Sequence, residues 1–299
     1  EAWSRQPTLQ PRAAELLAQA RATALSAASR LERLDALRLL RAADFDALEG
    51  VLTQLLASEA DADIQVEAVR LAGCHDADAV PELLFEAWPQ LARAARSEAS
   101  FVLFSRADWI ERAFRAMDTR RVAPQDFDPQ AFPLLGERAA ELQIRRGIGA
   151  RAEVVARWQS VLELPGETQR GRAWFRQVCS GCHRVDGVGH EIGPNLAAFA
   201  NRGAAALLTN ILDPNREVGP QFINQVVVTQ DGRAHSGIIV AQNASSITLQ
   251  RGEGLAETLP RDEIEEIRAT GQSIMPEGLE TQLGEQGLAD LIAYLLSAR

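Results

Sequence analysis

Through the first half of the chain, apolar side chains return every three or four residues. Leu16, Leu17, Ala20, Ala24 and Leu25 make one such stripe, and Leu31, Leu34, Leu37 and Leu40 make another. Val51, Leu52, Leu55 and Leu56 follow, then Ile64, Val66, Val69 and Leu71. That period puts each set on one face of a helix. Short acidic breaks, Asp44-Phe45-Asp46 and Asp61-Ala62-Asp63, separate the stripes. From about Pro11 to Leu164 the pattern therefore predicts helices joined by short polar turns, either an α-solenoid of HEAT type or a helical bundle. The segment from Val122 to Pro129 is a turn-rich interruption among them.

Beyond Leu164-Pro165-Gly166-Glu167 the pattern changes, which predicts a boundary between a helical domain at 1–164 and a second domain at 165–299. Helices are expected from Gly171 to Val178 and from Ala204 to Leu212, the latter stopped by Asp213-Pro214. Phe222 to Thr229 then alternates apolar and polar residues, Asp231-Gly232 supplies a hairpin turn, and Ser236 to Ala241 reads as the returning strand. Asn243 to Ser246 turns again, and Ile247–Gln250 and Glu257–Leu259 complete a small antiparallel insert at about 222–267. The chain closes with a helix, Glu285 to Ser297, carrying Leu288, Leu291, Ile292 and Leu295 on one face. The fold class is thus mainly α with a small β insert.

Composition narrows the function. In 299 residues, 46% hydrophobic and 24% charged side chains exclude a disordered chain, and the length suits two domains. No run approaches the roughly 18 consecutive apolar residues of a membrane span. The net charge of −10 argues against nucleic acid as a partner. All 31 cations are arginine, so no lysine is present to act as a nucleophile or Schiff-base former. The opening Glu1-Ala2-Trp3-Ser4 lacks a signal-peptide layout, from which we expect a removed signal or an upstream domain.

Three cysteines are too few for a disulfide framework. Cys74 sits among apolar residues of the helical half and reads as a structural thiol, and His75 beside it as a turn histidine. Cys179-Ser180-Gly181-Cys182-His183 is different. This C-x-x-C-H spacing is that of covalent c-type haem attachment: two thiols one turn apart can join the two vinyl groups of one porphyrin edge, and the adjacent His can ligate the iron. A zinc site or a redox disulfide are the alternatives at this stage. Zinc needs two more ligands, with His190 the nearby candidate, and a thioredoxin-type disulfide needs a βαβ context.

For the sixth position on one haem, Met275 is the only methionine after the motif, in the loop Ser273-Ile274-Met275-Pro276, with His190 and His235 as rivals. The carbonyl of Pro194 is a candidate acceptor for the second ring N–H of His183. Asn195, Arg202 and Trp174 are candidate donors to the haem propionates. Gly171 and Phe175 at i and i+4 form a patch on which Leu291 and Tyr294 can pack.

From Gly166 onward the chain resembles the haem-binding domain of planctomycete and verrucomicrobial type. The resemblance rests on G-R-A-W-F-R-Q-V-C-S-G-C-H at 171–183, G-H-E-I-G-P-N-L at 189–196 and I-L-D-P-N at 211–215. It continues through T-x-D-G at 229–232, M-P-E-G-L at 275–279 and D-L-I-A-Y-L at 290–295. It implies a small class I cytochrome c fold with a β-rich insert between haem loop and Met ligand. In such proteins the domain commonly follows HEAT-like helices behind a β-propeller of the sugar or sorbosone dehydrogenase kind that uses pyrroloquinoline quinone.

The expected function is one-electron transfer from a dehydrogenase, or its propeller domain, to a downstream acceptor protein. His183 and Met275 would fill both axial positions of one covalent haem c, which argues against peroxidase or oxygenase work. The alternatives are a helical scaffold carrying haem as a sensor, and an enzyme domain with five-coordinate haem. Covalent haem attachment implies a periplasmic or extracellular location.

Overall fold

The computed structural model describes residues 10–59, 61–145 and 151–298, so the opening Glu1–Ser4 segment lies outside the described residues. The chain divides into two compact units, Glu1–Asp128 and Pro129–Arg299.

The first unit is helical: α1 (Gln10–Leu25), α2 (Arg30–Leu39), α3 (Phe45–Ser58), α4 (Ala62–Gly73), α5 (Ala79–Ala87), α6 (Arg93–Phe104) and α7 (Ala107–Asp118). The polar breaks that separate the stripes help start these helices. Ser29 and Glu32 form a reciprocal capping box at α2, and Asp61 accepts from the amides of Asp63 and Ile64 at the head of α4. α4 packs on α2, α3 and α6, and α5 on α3 and α7, so contacts run to next-but-one helices as well as to neighbours. Leu37, Leu48, Leu52, Leu56, Ile64, Leu71 and Leu84 are fully buried between them.

Polar pairs bind the layers. Glu67 and Glu98 are buried, Glu67 2.8 Å from Arg41 and 3.6 Å from Arg70, and Glu98 3.3 Å from Arg70. Arg33 pairs with Glu59. Three residues of the predicted stripes, Leu16, Leu25 and Leu31, are exposed. The inner faces of α1 and α2 use Ala20, Ala24, Ala36 and Leu37 instead. In alanine-rich helices the small residues let the layers approach, and leucines flanking them are left outside.

The second unit begins with a 3-10 segment, Pro129–Leu135, followed by α8 (Arg138–Arg145), α9 (Arg151–Arg157) and a further 3-10 turn, Trp158–Glu163. Val154, Val155 and Val161 share one core with Phe175, Leu207, Leu208, Leu288, Leu291, Tyr294 and Leu295. The sequence break at 164–167 therefore lies inside this unit. Then come α10 (Thr168–Trp174), a short hairpin of β1 (Arg184–Val185) and β2 (Val188–Gly189), α11 (Leu196–Ala200) and α12 (Ala204–Leu212).

The insert is a five-stranded antiparallel sheet of β3 (Ile223–Thr229), β4 (Ala234–Gln242), β5 (Ser246–Gln250), β6 (Ala256–Pro260) and β7 (Ile264–Ser273). Strand order is β6-β5-β4-β3-β7. This corrects the expected end of the insert near 267: β7 runs to Ser273 and pairs back onto β3, from Thr229↔Ile264 to Ile223↔Ser273. Most of β7 is exposed, so it lacks the apolar alternation that marked its neighbours. Val227, Leu249 and Leu259 form one small core of the sheet, and Ile238 joins Ile192 and Ile274 in another.

The last helix, α13 (Leu279–Ser297), breaks at Gly284, where φ is 65°. Its later part crosses α10, and Phe175 meets Tyr294 there. No described helix is long and apolar enough to cross a membrane.

Candidate cofactor site

The turn carrying the cysteine pair grows from α10. At Phe175–Cys179 the helix widens into one π turn, with the Ser180 amide donating to the Phe175 carbonyl at 2.9 Å. Such a turn shifts the residues after it out of the α-helical register, and is frequent at functional sites. The Cys179 carbonyl then accepts from both Cys182 N (3.1 Å) and His183 N (2.9 Å), winding the five-residue motif into a compact knot. Returning chain closes over it: His190 N donates to Ser180 O, and Ile192 N and Gly193 N both donate to Cys182 O.

His183 is buried, and its Nδ1 lies 2.9 Å from the Pro194 carbonyl. Burial pushes its pKa down, with the Pro194 carbonyl opposing in part, so the ring is neutral at pH 7. Donation from Nδ1 to Pro194 leaves the Nε2 lone pair for a metal, the arrangement that fixes a ligating tautomer. Gly193 lies against the same ring. A Cβ there would overlap Cε1, Nδ1 and Nε2 of His183, so only glycine lets the chain pass.

Cys179 and Cys182 are thiols in the structure. Burial, reinforced by the neighbouring Cys182, pushes the Cys179 thiol up to about 12. The two enter different apolar clusters: Cys179 packs on the main core with Val178 and Met275, whereas Cys182 packs with Ile192, Ile238, Ile274 and Phe222. Gln130 Nε2 stands 3.6 Å from Cys182 Sγ. Consecutive residues Ile274 and Met275 thus reach the two clusters that hold the two cysteines.

The Met275 loop is held by polar contacts. Met275 N donates to Ser273 Oγ (3.1 Å), Ser273 N to Asn215 Oδ1 (2.8 Å), and Asn215 Nδ2 to Glu277 Oε1 (2.6 Å). These residues, with Gln130, Gln143, Asn224 and Gln272, line a small cavity of about 30 Å³. Sequence reasoning missed Asn215, although its I-L-D-P-N setting at a helix end was visible.

The remaining candidates lie elsewhere. Asn195 is exposed and accepts from Ala197 N at the head of α11. Arg202 pairs with Glu217 at 3.4 Å. Trp174, a candidate propionate donor, instead turns its indole to α13: a Cβ at Gly287 would come within 2.9 Å of Trp174 Nε1. His190 is exposed beside Gly254, and His235 is bound in the sheet with Glu257, 3.0 Å away. Burial opposes ionisation of Glu257, but the His235 hydrogen bond and the charges of His235, Arg251 and Arg233 hold it down to about 2. Cys74 and His75 belong to the first unit.

Among the described residues, no three His, Cys, Asp or Glu side chains are grouped to hold a metal ion, so a zinc site lacks its further ligands. The residues do fit a covalent haem: two thiols on one turn, an adjacent imidazole oriented through Nδ1, a glycine cradle against its ring, and a thioether whose loop reaches the two apolar clusters on which the cysteines pack.

Comparison with known proteins agrees in kind. Residues 168–238 match the family model described as cytochrome c, a stretch that covers α10, the motif turn, the hairpin, α11, α12, β3 and the first half of β4. No curated protein matches the chain. The match supports a cytochrome c-type haem-binding domain serving electron transfer.

Proposed function

We propose that the second unit is a mono-haem c-type electron carrier, with Cys179 and Cys182 as the thioether anchors and His183 and Met275 as the axial ligands. The observation that carries this reading is the His183 ring, turned by Pro194 and pressed by Gly193, within a motif turn whose cysteines share clusters with Ile274 and Met275. Bound there, haem supplies a one-electron couple. The chain's own residues do the rest. Cys179 and Cys182 would hold the group covalently, each thiol adding its S–H across one vinyl double bond, which would prevent its loss. Pro194 keeps the proton on Nδ1 and Nε2 available. The apolar packing of Ile192, Ile238 and Ile274 excludes water, and a thioether ligand raises the reduction potential. With His183 and Met275 both holding the iron, no position would be left on it for a substrate.

In this reading the chain works outside the cytoplasm, where covalent haem attachment occurs. It takes electrons from a dehydrogenase and passes them to an acceptor protein. The acidic balance favours brief, salt-sensitive docking to a basic partner face. In the alternative reading, the helical first unit, whose next-but-one packing suits HEAT-type repeats, is a scaffold for a protein partner.

The test is the visible spectrum of protein made with haem-attachment machinery, oxidised and then reduced by dithionite. Sharp low-spin α and β bands on reduction, with a weak far-red sulfur-to-iron band when oxidised, are expected. Replacing Met275 by Ala should abolish the far-red band, lower the potential and admit cyanide or carbon monoxide. An unchanged spectrum in that variant would remove Met275 as a ligand, and a high-spin wild type would favour the five-coordinate reading.

A further inference from the structure

We infer that Asn215 is a positioning residue for the sixth ligand: its side-chain amide clamps the Met275 loop from both sides and so sets how readily the thioether leaves the iron. The inference rests on the assignment of Met275 as axial ligand. Asn215 Oδ1 accepts from the backbone amide of Ser273, two residues before Met275, and its Nδ2 donates to the Glu277 carboxylate, two residues after it. One planar amide, with acceptor and donor about 2.2 Å apart by its covalent geometry, therefore fixes the separation of the loop's two shoulders. The Ser273 hydroxyl adds the inner contact, accepting from Met275 N, and Gln143 Nε2 steadies the far carboxylate oxygen of Glu277 at 3.4 Å.

The clamp is needed because the thioether is a weak, neutral ligand on a loop. Pro276 and Gly278 are the only residues of 274–278 with special backbone preferences, and no regular hydrogen-bond ladder runs through the segment. If the loop were free, ordering it would be charged against the sulfur–iron bond each time the bond formed. Held in advance, Met275 starts from its ligating position. Asn215 is itself placed by the end of α12 and the Asp213-Pro214 turn, so the clamp ties the loop, at the last residue of β7 and at Glu277, to the helix whose apolar side chains join the main core.

The chemistry of the pair allows a reciprocal test. Asn215→Asp keeps the acceptor for Ser273 N but sets a second carboxylate against Glu277. Adding Glu277→Gln restores a donor–acceptor pair with the polarity reversed. Ferric holoprotein of wild type, Asn215→Asp, Asn215→Asp/Glu277→Gln, Glu277→Ala and Met275→Ala would be titrated with imidazole, recording the far-red sulfur-to-iron band, the reduction potential and thermal unfolding.

We expect Asn215→Asp to bind imidazole about tenfold more tightly and to weaken the far-red band, the scale on which supporting partners of metal ligands act. The double variant should return to within about threefold of wild type, since the two changes share one contact. Glu277→Ala, a milder change that keeps the Ser273 contact, should move affinity in the same direction by less. If Met275→Ala shifts band and affinity while Asn215→Asp stays within about twofold of wild type, or if the double variant shows no rescue, the clamp is overturned and the ligand assignment stands. If Met275→Ala changes neither, the ligand assignment itself fails. A loss of thermal stability in Asn215→Asp with imidazole affinity unchanged would reduce Asn215 to a structural role and also overturn the inference.

Discussion

Phe175, the first residue of the π turn that continues α10, and Tyr294 on α13 meet with ring centroids 5.7 Å apart and planes inclined by 54°. The helices come this close because the residue one turn before Phe175 is glycine. A Cβ at Gly171 would overlap the carbonyl of Asp290 and touch Cβ of Tyr294. Gly171→Ala should therefore push the helices apart and destabilise the second unit by about 1–3 kcal/mol, the usual cost of overpacking. Denaturant unfolding followed by haem absorbance measures it, and an unchanged midpoint would show that the crossing can yield without cost.

Gly193→Ala places a methyl against the His183 ring. The expected outcome is a drop in covalent haem per polypeptide, with a high-spin fraction in whatever forms. Haemochrome stoichiometry equal to wild type, with the same low-spin spectrum, would rule out this contact as a requirement.

Acid stability should carry the signature of Asp290. Hydrogen bonds from Arg170, then from the Glu167 amide and Gln286, outweigh burial and hold this carboxylate at about 2, against an ordinary value of 3.8. The folded value lies below the unfolded one. The stabilisation is thus complete above about pH 4 and is lost as pH falls through about 2. Because Arg170 is half exposed, solvent screening limits it to about 1–2 kcal/mol. Asp290→Asn should lose that much at pH 7 and flatten the dependence on acid. Parallel wild-type and variant curves between pH 2 and 5 would contradict the assignment.

In the first unit, Glu67 is buried within reach of Arg41 and Arg70, and Glu98 accepts the other end of Arg70. Glu67→Ala breaks a shared contact while leaving arginine charge behind, and should cost about 1–3 kcal/mol. Adding Glu98→Ala should cost less than the sum of the single changes, because Arg70 is common to both. Thermal unfolding by far-ultraviolet circular dichroism reads both, and strict additivity would mean that the ladder is not coupled.

Much of the second unit is legible in the sequence where one residue type admits one arrangement. The Cys179–His183 motif and the stop after Leu212 follow from local spacing, and the Gly171/Phe175 spacing marks a patch on which Tyr294 can pack. The rest depends on contacts between distant segments. Val185-Asp186-Gly187-Val188 forms a two-residue hairpin with φ of 50° and 75° at its turn, a signal that was present but overshadowed by the neighbouring motif. β7 has no readable face because its partner β3 supplies the burial. Val154, Val155 and Val161 join the core around Phe175 across the Pro165-Gly166 break, which local punctuation cannot reveal. Asn215 is polar and half-buried, and its meaning lies in residues about sixty positions away.

Ser273, the last residue of β7, pairs with Ile223, the first of β3, and Met275 follows two positions later. Strand pairing is discrete, so the length of chain paid out beyond the sheet can change only in whole residues, each worth about 3.4 Å. The five strands thus act as a ratchet for the segment leaving them. Substitutions on the outward side of β7 can accumulate without lengthening the tether, whereas a residue inserted in the regular stretch from Glu266 to Ala269 would add a full notch unless the bulges on either side of it, where the register with β3 already slips, took it up.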